Sequence, residues 1–487
     1  MKKNDWGQIL TAIASGIICA LCFDITWLAP FLWVLLVPFF VVLLKEKKKK
    51  RVLGLTAAFC TALFLCYYAA FFTLDIAGRV GGMAGVYLTL GWLGASALQG
   101  AILTAALFAG VAAPCPAQLR APLLGILWAG AEWLFGTGAL GLPCVRLGVT
   151  QWQFLPVVQS AQLGGILLVS ALMVAVNVLL AQGILARREN KLKTGWYFIA
   201  AVAVFLVNFV FGMVRIAQPL PVPDVSVAAV QYNVSFAKNG GQGRFEKAIG
   251  MAHEAAGEKP DIILLPENSV YGSFMEDAAL RKACADITRE SDGYLFLGVY
   301  GIHGYELRNS VFMVTPEGNV PDVYHKQRLA PFFENGYERP FDFSVGESRG
   351  VFDTEYGKVG TMVCFESLFS DVAVDTTAKG AQLLCVFTND SWFTGDVPLN
   401  RHFAQSAVRA VETGRYVVQA GNTGVSAIVT PQGNATQRLP VDTDGILLGK
   451  ISFLDEAAPY VWAGDWWIAA GGALVALLWW MRRKKRI

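Results

Sequence analysis

A multi-pass α-helical membrane domain joined to an α/β domain outside the bilayer is the fold class that these 487 residues predict. Three observations lead there. Hydrophobic residues make up 54% of the chain and charged ones only 16%, where soluble globular proteins carry about 25% charged residues. Uncharged apolar stretches of roughly 18 residues, the length a helix needs to cross a bilayer, recur before residue 215. Charge then returns at Asp224, where short apolar runs begin to alternate with helical patterns.

The membrane elements come first in the chain. Gly7–Phe23, Trp27–Leu44, Val52–Leu74, a stretch within Gly81–Leu119, Ala121–Gly138, Phe154–Ala186 (partly loop) and Gly195–Val214 give about seven spans, and Trp466–Met481 gives one more. Ala121–Gly138 is apolar apart from Glu132, a carboxylate that reads equally as a functional group or as a packing or snorkelling one. With the N-terminus inside, the cytoplasmic segments are Lys2–Lys3, Lys45–Arg51, Arg120, Arg187–Lys193 and Arg482–Arg486. These carry 18 Lys/Arg, against two, Arg79 and Arg146, in the short outer loops. That bias sets both termini in the cytoplasm and the long segment before the last span outside it. Cleavage of Gly7–Phe23 as a signal peptide fits the alternation less well. The expected domains are 1–215, the membrane domain; 224–455, the outer domain; and 465–487, a last span with a basic tail.

The nine cysteines show no paired metal spacing. Only Cys284, Cys364 and Cys385 fall in the outer segment, so an oxidising compartment would leave at least one free thiol. From Asp224 to Gly464 there are 19 Lys/Arg against 30 Asp/Glu, an acidic balance that repels nucleic acid and excludes that class of partner. The runs "VSVAAVQYNV", "DIILLPE", "YLFLGVYG", "SVFMVTP", "GKVGTMVC", "QLLCVFTND", "YVVQAGN" and "VSAIVTP" read as strands. Arg244–Ala256, Glu276–Arg289 and His402–Thr413 read as helices.

In open α/β sheets reactive groups gather where strands end. "DIILLPENS" delivers Glu267, "VYHKQRLAPFFE" delivers Lys326 with Glu334 eight residues on, and "VGTMVCFES" delivers Cys364 followed by Phe365 and Glu366. Alone, each has an ordinary reading: a turn carboxylate, a solvated lysine, a buried strand thiol. Together they supply a nucleophile, a carboxylate to take and return its proton, and a cation that lowers the thiol pKa and neutralises an oxyanion, all without histidine.

In this order and setting, Glu267, Lys326 and Cys364 resemble the Glu-Lys-Cys triad of the nitrilase superfamily. Glu334, "TNDSWF" (Thr388–Phe393) and "RAVETGRYVVQAGNTG" (Arg409–Gly424) extend the match. Within that superfamily the membrane layout resembles the apolipoprotein N-acyltransferases alone. "EWLFGTGALGLPCVRLGVTQWQFLPVVQSAQLGG" (Glu132–Gly165) is similar to a membrane loop of that family. Three positions depart from it: Phe365 stands where the family shows tyrosine, Cys144 where it usually shows tryptophan, and a mobile-loop tryptophan is replaced at best by Phe236.

The resemblance implies a four-layer α-β-β-α sandwich and ping-pong acyl transfer at the cell inner membrane. Cys364 would take an acyl chain from a phospholipid and pass it to the N-terminal amine of a diacylated apolipoprotein. Glu267 would be base and acid, Lys326 and the Phe365 N–H the oxyanion donors, Glu334 the partner of Lys326, and Glu366 the brace of the nucleophile loop. No metal or soluble cofactor is implied, and the protein would be a monomer. Phe236, Phe332, Phe333, Trp392 and Phe393 could dip among acyl chains, with core packing an equal reading. A membrane-tethered amidohydrolase using the same triad with water as acceptor is the alternative.

Overall fold

The computed structural model describes residues 3–75, 81–138, 141–187, 191–234, 243–303, 306–331, 334, 343–347 and 350–484. Phe236, Phe332 and Phe333 lie outside the described residues. The chain divides into a helical unit, 1–72 with 82–218 and 463–487, and an α/β unit, 73–81 with 219–462.

In the helical unit, Lys49–Thr73, Gly81–Ala112, Ala161–Ala186 and Thr194–Ile216 are long and apolar enough to cross a membrane, among the described residues. Asp5–Leu21 and Ala29–Lys45 are shorter apolar helices. The stretch expected as one span from Trp27 to Leu44 is broken into a 3-10 turn at Ala29–Phe31, a helical turn at Leu32–Leu35 and a helix at Val37–Lys45. Pro30 and Pro38 sit in the first turns of two of these pieces, where a missing N–H costs least. Asn177 compensates the break. Its Oδ1 accepts from the Leu36 N–H at 3.0 Å and its Nδ2 donates to the Leu32 carbonyl at 2.8 Å. Backbone groups away from water need such partners. Gly164 and Gly165 interrupt the helix at Ala161–Ala186 in the same way, with the freed Gly164 carbonyl accepting from Trp467 Nε1 at 3.2 Å.

The α/β unit holds two six-stranded sheets. Strands β1 (Val225–Gln231), β2 (Ile262–Tyr271), β3 (Tyr294–His303), β4 (Glu306–Val314) and β5 (Asp322–His325) form the first. The second contains β6 (Val351–Thr354), β7 (Gly357–Val363), β8 (Leu383–Thr388), β9 (Tyr416–Gly421), β10 (Ala427–Val429) and β11 (Ala435–Arg438). The last strand, β12 (Gly445–Ile451), returns to the edge of the first. The orders are β12-β1-β2-β3-β4-β5 and β11-β10-β9-β8-β7-β6, with β1, β2 and β3 parallel in one and β7, β8 and β9 parallel in the other.

The strands read as continuous apolar runs because both of their faces are covered. Ile262 and Leu264 of β2 face the second sheet and pack with Val359, Val363, Leu383 and Phe387. Ile263 and Leu265 face the other way, onto Ala248 and Ala252 of helix Arg244–Gly257 and Ile287 of helix Ala278–Ser291. Helices Ser370–Ala378 and Asp396–Thr413 cover the second sheet. The result is the expected α-β-β-α sandwich. Helix Asp396–Thr413 begins six residues before the expected His402, because Pro398 in its first turn tolerates a helix start and not an interior.

Candidate active site

Contrary to expectation, Glu267 does not end its strand but sits in an irregularity inside β2, which runs on to Tyr271. The register against β3 shifts between Leu265 and Val270, and Asn268 stands at φ +58°. This bulge, opened by Pro266, re-aims one carboxylate from an otherwise apolar strand. The facing residue of β3 is Gly298, where a Cβ would meet the Pro266 carbonyl oxygen at 2.3 Å and the Glu267 Cα at 2.6 Å. Lys326 follows the last residue of the short β5, and its N–H donates to the Asn309 carbonyl at 2.8 Å. Cys364 follows β7, opens a 3-10 turn (Cys364–Leu368) and stands at φ +50°, a conformation that residues with a Cβ rarely adopt.

These three elements bring Glu267, Lys326, Cys364 and Glu334 together. Glu267 Oε1 accepts from Lys326 Nζ at 3.3 Å, Asn309 Nδ2 at 2.6 Å and Tyr300 Oη at 3.1 Å. Its Oε2 accepts from the Asn389 N–H at 2.9 Å, and the carboxylate also takes a hydrogen bond from the Cys364 thiol. Lys326 Nζ donates to Glu334 at 3.0 Å, and Asn309 Nδ2 and the Ala330 N–H hold the same carboxylate at 2.8 and 2.7 Å. Glu366 is fully buried. Its Oε1 accepts from Tyr324 Oη, the Gln327 N–H and the Arg328 N–H, and its Oε2 from the Val363 N–H, all within 3.0 Å. One carboxylate therefore ties the end of β7 to the loop that carries Lys326.

Burial pushes the Glu267 carboxyl above its ordinary value, Lys326 opposes that rise and Glu334 adds to it. Burial also disfavours the charge on Lys326, but the Glu334 and Glu267 carboxylates outweigh it and raise its pKa, so the ammonium persists. The Cys364 thiol is raised well above its usual value by burial and by Glu267, with Lys326 opposing. Lys326 lowers the thiol pKa as expected, but burial and Glu267 outweigh it and the net shift is upward. Lys326 is neutralised by two carboxylates, so the resting thiol is protonated and must lose its proton to a neighbouring base. Glu267, in hydrogen-bond contact with it, is placed to take it.

The remaining expected residues scatter. Phe365 stacks edge-on against Phe369 at 5.1 Å, with the Arg328 guanidinium over the Phe369 ring at 5.3 Å. Trp392 and Phe393 are half-buried, and their backbone is clipped to residues 73–75: the Asp75 N–H donates to the Trp392 carbonyl at 2.7 Å and the Thr394 N–H to the Thr73 carbonyl at 2.8 Å. Glu132 belongs to the helical unit, where it is buried and accepts from Trp128 Nε1 and the Leu147 N–H at 2.7 Å each.

Sequence reasoning missed Tyr300, Asn309, Asn389, Asp390 and His402. Tyr300 and Asn309 are directly opposite each other in the β3–β4 ladder, which is why both reach Glu267. No local pattern announces that pairing. Asn389 and Asp390 lie within "TNDSWF", a stretch singled out for its resemblance alone.

A carbon-nitrogen hydrolase family model matches residues 226–458, and a model of the apolipoprotein N-acyltransferase N-terminal domain matches residues 15–179. The sandwich and the first of these matches define a member of the carbon-nitrogen hydrolase superfamily, and the second match places it among the acyltransferases of that superfamily. The apolipoprotein N-acyltransferase of Gloeobacter violaceus is 28% identical over 96% of this chain and 92% of its own length. That of Geobacter metallireducens is 26% identical over 94% and 91%. The chain belongs to the apolipoprotein N-acyltransferase family. Among solved structures, a mutant amidase from Nesterenkonia sp. AN1 aligns with 51% of this chain and 99% of its own, with a TM-score of 0.40 and 21% identity. A carbon-nitrogen hydrolase from Helicobacter pylori aligns with 47% and 89%, with a TM-score of 0.41 and 16% identity.

Proposed function

We propose that the protein transfers a fatty acyl chain from a membrane phospholipid to the α-amine of the N-terminal diacylglyceryl-cysteine of lipoproteins, through a thioester on Cys364. The observation that carries this reading is the pinning of Glu267 between the Lys326 ammonium and the Cys364 thiol. Cys364 Sγ attacks the ester carbonyl as Glu267 takes the thiol proton. Lys326 Nζ and the Phe365 N–H stabilise the oxyanion. Collapse expels the lysophospholipid alkoxide, which takes the proton from Glu267 and leaves the acyl-cysteine. The lipoprotein amine then attacks the thioester and gives a proton to Glu267. The departing thiolate of Cys364 recovers that proton as the amide forms. Glu334 orients Lys326, and Glu366 keeps the nucleophile turn in register with the lysine loop.

The membrane setting supports a lipid donor, since an enzyme drawing both substrates from a bilayer gains from its apolar helices. The Lys/Arg distribution supports cytoplasmic termini and an extracytoplasmic α/β unit, within the bounds 1–215, 224–455 and 465–487. Incubation of the purified chain with phospholipid labelled in one acyl chain tests the reaction. A hydroxylamine-sensitive label on Cys364, discharged by a diacylated lipopeptide, is expected. No label, or equal label in Cys364→Ala, sinks the reading, and discharge to water alone favours hydrolysis.

A further inference from the structure

Among the described residues, one buried pair beside the nucleophile has no part in the mechanism above. Asp390 follows β8, where the Thr388 hydroxyl donates to its Oδ2 at 3.1 Å. Its two oxygens lie 2.9 and 2.8 Å from Nδ1 of His402, which stands on helix Asp396–Thr413. The opposite ring nitrogen, Nε2, lies 3.0 Å from the backbone carbonyl oxygen of Cys364 and 2.9 Å from Ser367 Oγ.

We propose that the Asp390–His402 pair positions the nucleophile: the imidazole donates from both ring nitrogens, to Asp390 on one side and to the Cys364 carbonyl on the other. The inference rests on reading Cys364 as the nucleophile. A carboxylate and a carbonyl have no proton to give, so Nδ1 supplies one to Asp390, and Nε2 must supply one if it is to bond the Cys364 carbonyl. The Ser367 hydroxyl at 2.9 Å can accept from that N–H as well as donate to a bare nitrogen. A neutral ring with a bare Nε2 could accept from Ser367 but would set its lone pair against the Cys364 carbonyl at 3.0 Å, whereas a protonated Nε2 satisfies carbonyl and hydroxyl together. The ring is therefore an imidazolium with Asp390 as its counter-charge. The ionisable groups that face it are Asp390, the Cys364 thiol and, further off, Glu267. Burial works against the charged ring, and Asp390 outweighs burial and raises its pKa.

The location explains the purpose. Cys364 occupies the left-handed region, and the direction of its carbonyl is what distinguishes that turn from a continued strand. A charge-assisted bond to this carbonyl, shared with the Ser367 hydroxyl of the same turn, holds the strained residue so that Sγ meets Glu267. His402 touches the backbone of the nucleophile rather than the reacting atoms, and acts through Cys364. A sulfur, a carboxylate oxygen and an imidazole nitrogen within 4.8 Å of one another also suggest a metal set. However, Nδ1 and Oδ2 at 2.8 Å are closer than two ligands of one tetrahedral ion, about 3.4 Å apart for bonds near 2.1 Å, and the other nitrogen is committed to a carbonyl.

The test uses the full-length chain with 13C-labelled histidine, whose four rings are few enough to assign, together with alkylation of Cys364 by iodoacetamide, which needs no lipid. The His402 ring is expected to titrate above the ordinary imidazole value, and Asp390→Asn to bring that titration down in pH. His402→Ala is expected to slow alkylation on the order of 10²-fold. His402→Gln, which keeps an N–H donor for the carbonyl, should recover part of that rate. A ring neutral at pH 7, a titration unmoved in Asp390→Asn, or alkylation unchanged in His402→Ala overturns the proposal. Absence of an acyl adduct in a wild-type chain that meets these expectations defeats the acyl-transfer reading and supports the positioning role.

Discussion

At the scale of single residues, the candidate site is organised around a carboxylate rather than around the thiol. Glu267 gathers Lys326, Asn309, Tyr300, Asn389 and Cys364, and burial still holds its pKa above the ordinary value. In the proposed reaction the ionised form must take the thiol proton. A raised pKa means that this form is lost earlier on acidification, so acylation of Cys364 should fade as pH drops through a value above the usual carboxylate range. Glu334 contributes to the rise. Glu334→Gln should therefore move the acid limb of the acylation profile to lower pH. At pH 7 it should also slow acylation, by on the order of 10²-fold, because Lys326 loses a partner and its fixed position. An acid limb that stays put or moves up would contradict the assignment of Glu267 as base.

At the scale of elements, irregularities do the positioning: the bulge of β2, the left-handed end of β7 and the short β5. Each departs from a regular strand at a residue of the candidate site, which is where such irregularities are expected to be kept. Gly298 makes the β2 bulge possible. Gly298→Ala should cost about 1–3 kcal/mol, because its Cβ would run into backbone that cannot yield cheaply. A lower thermal midpoint together with a loss of Cys364 acylation is the expected result. Gly250→Ala is the matched control: it lies in helix Arg244–Gly257 with nothing within 4 Å of the added carbon. There the substitution should stabilise by about 1 kcal/mol, as glycine is a poor helix former. Equal effects at the two sites would show that the bulge tolerates a side chain.

At the scale of the whole molecule, two compositions are joined in one chain: an apolar helical part edged with Lys/Arg, and an acidic α/β part. The positive edge is an orientation signal, and the proposed topology can be read directly. Asp224→Cys, at an exposed position, should react with a membrane-impermeant maleimide in intact spheroplasts. Lys48→Cys, also exposed, should react only after permeabilisation. The reverse pattern would place the α/β unit in the cytoplasm, away from lipoprotein acceptors, and would remove the setting of the proposed reaction.

The sequence alone determined what depends on local order along the chain. Apolar length and charge marked the helical part, period and punctuation marked most strands, and breaks in apolar runs pointed to Glu267, Lys326 and Cys364, although Glu267 stands in a bulge inside β2 rather than at a strand end. Tertiary structure decided what depends on register and on which face of a strand meets which neighbour. Tyr300 and Asn309 meet at Glu267 because of one antiparallel pairing, and Asn389 donates to it from the other sheet. His402 faces the Cys364 carbonyl from a helix on that sheet, 38 residues away in sequence. The net direction of the Cys364 pKa shift was not legible in the sequence either, because it depends on burial and on Glu267 outweighing Lys326. Those are properties of the folded site: a row of residues records which charges exist, and only packing sets their distance from one another and from water.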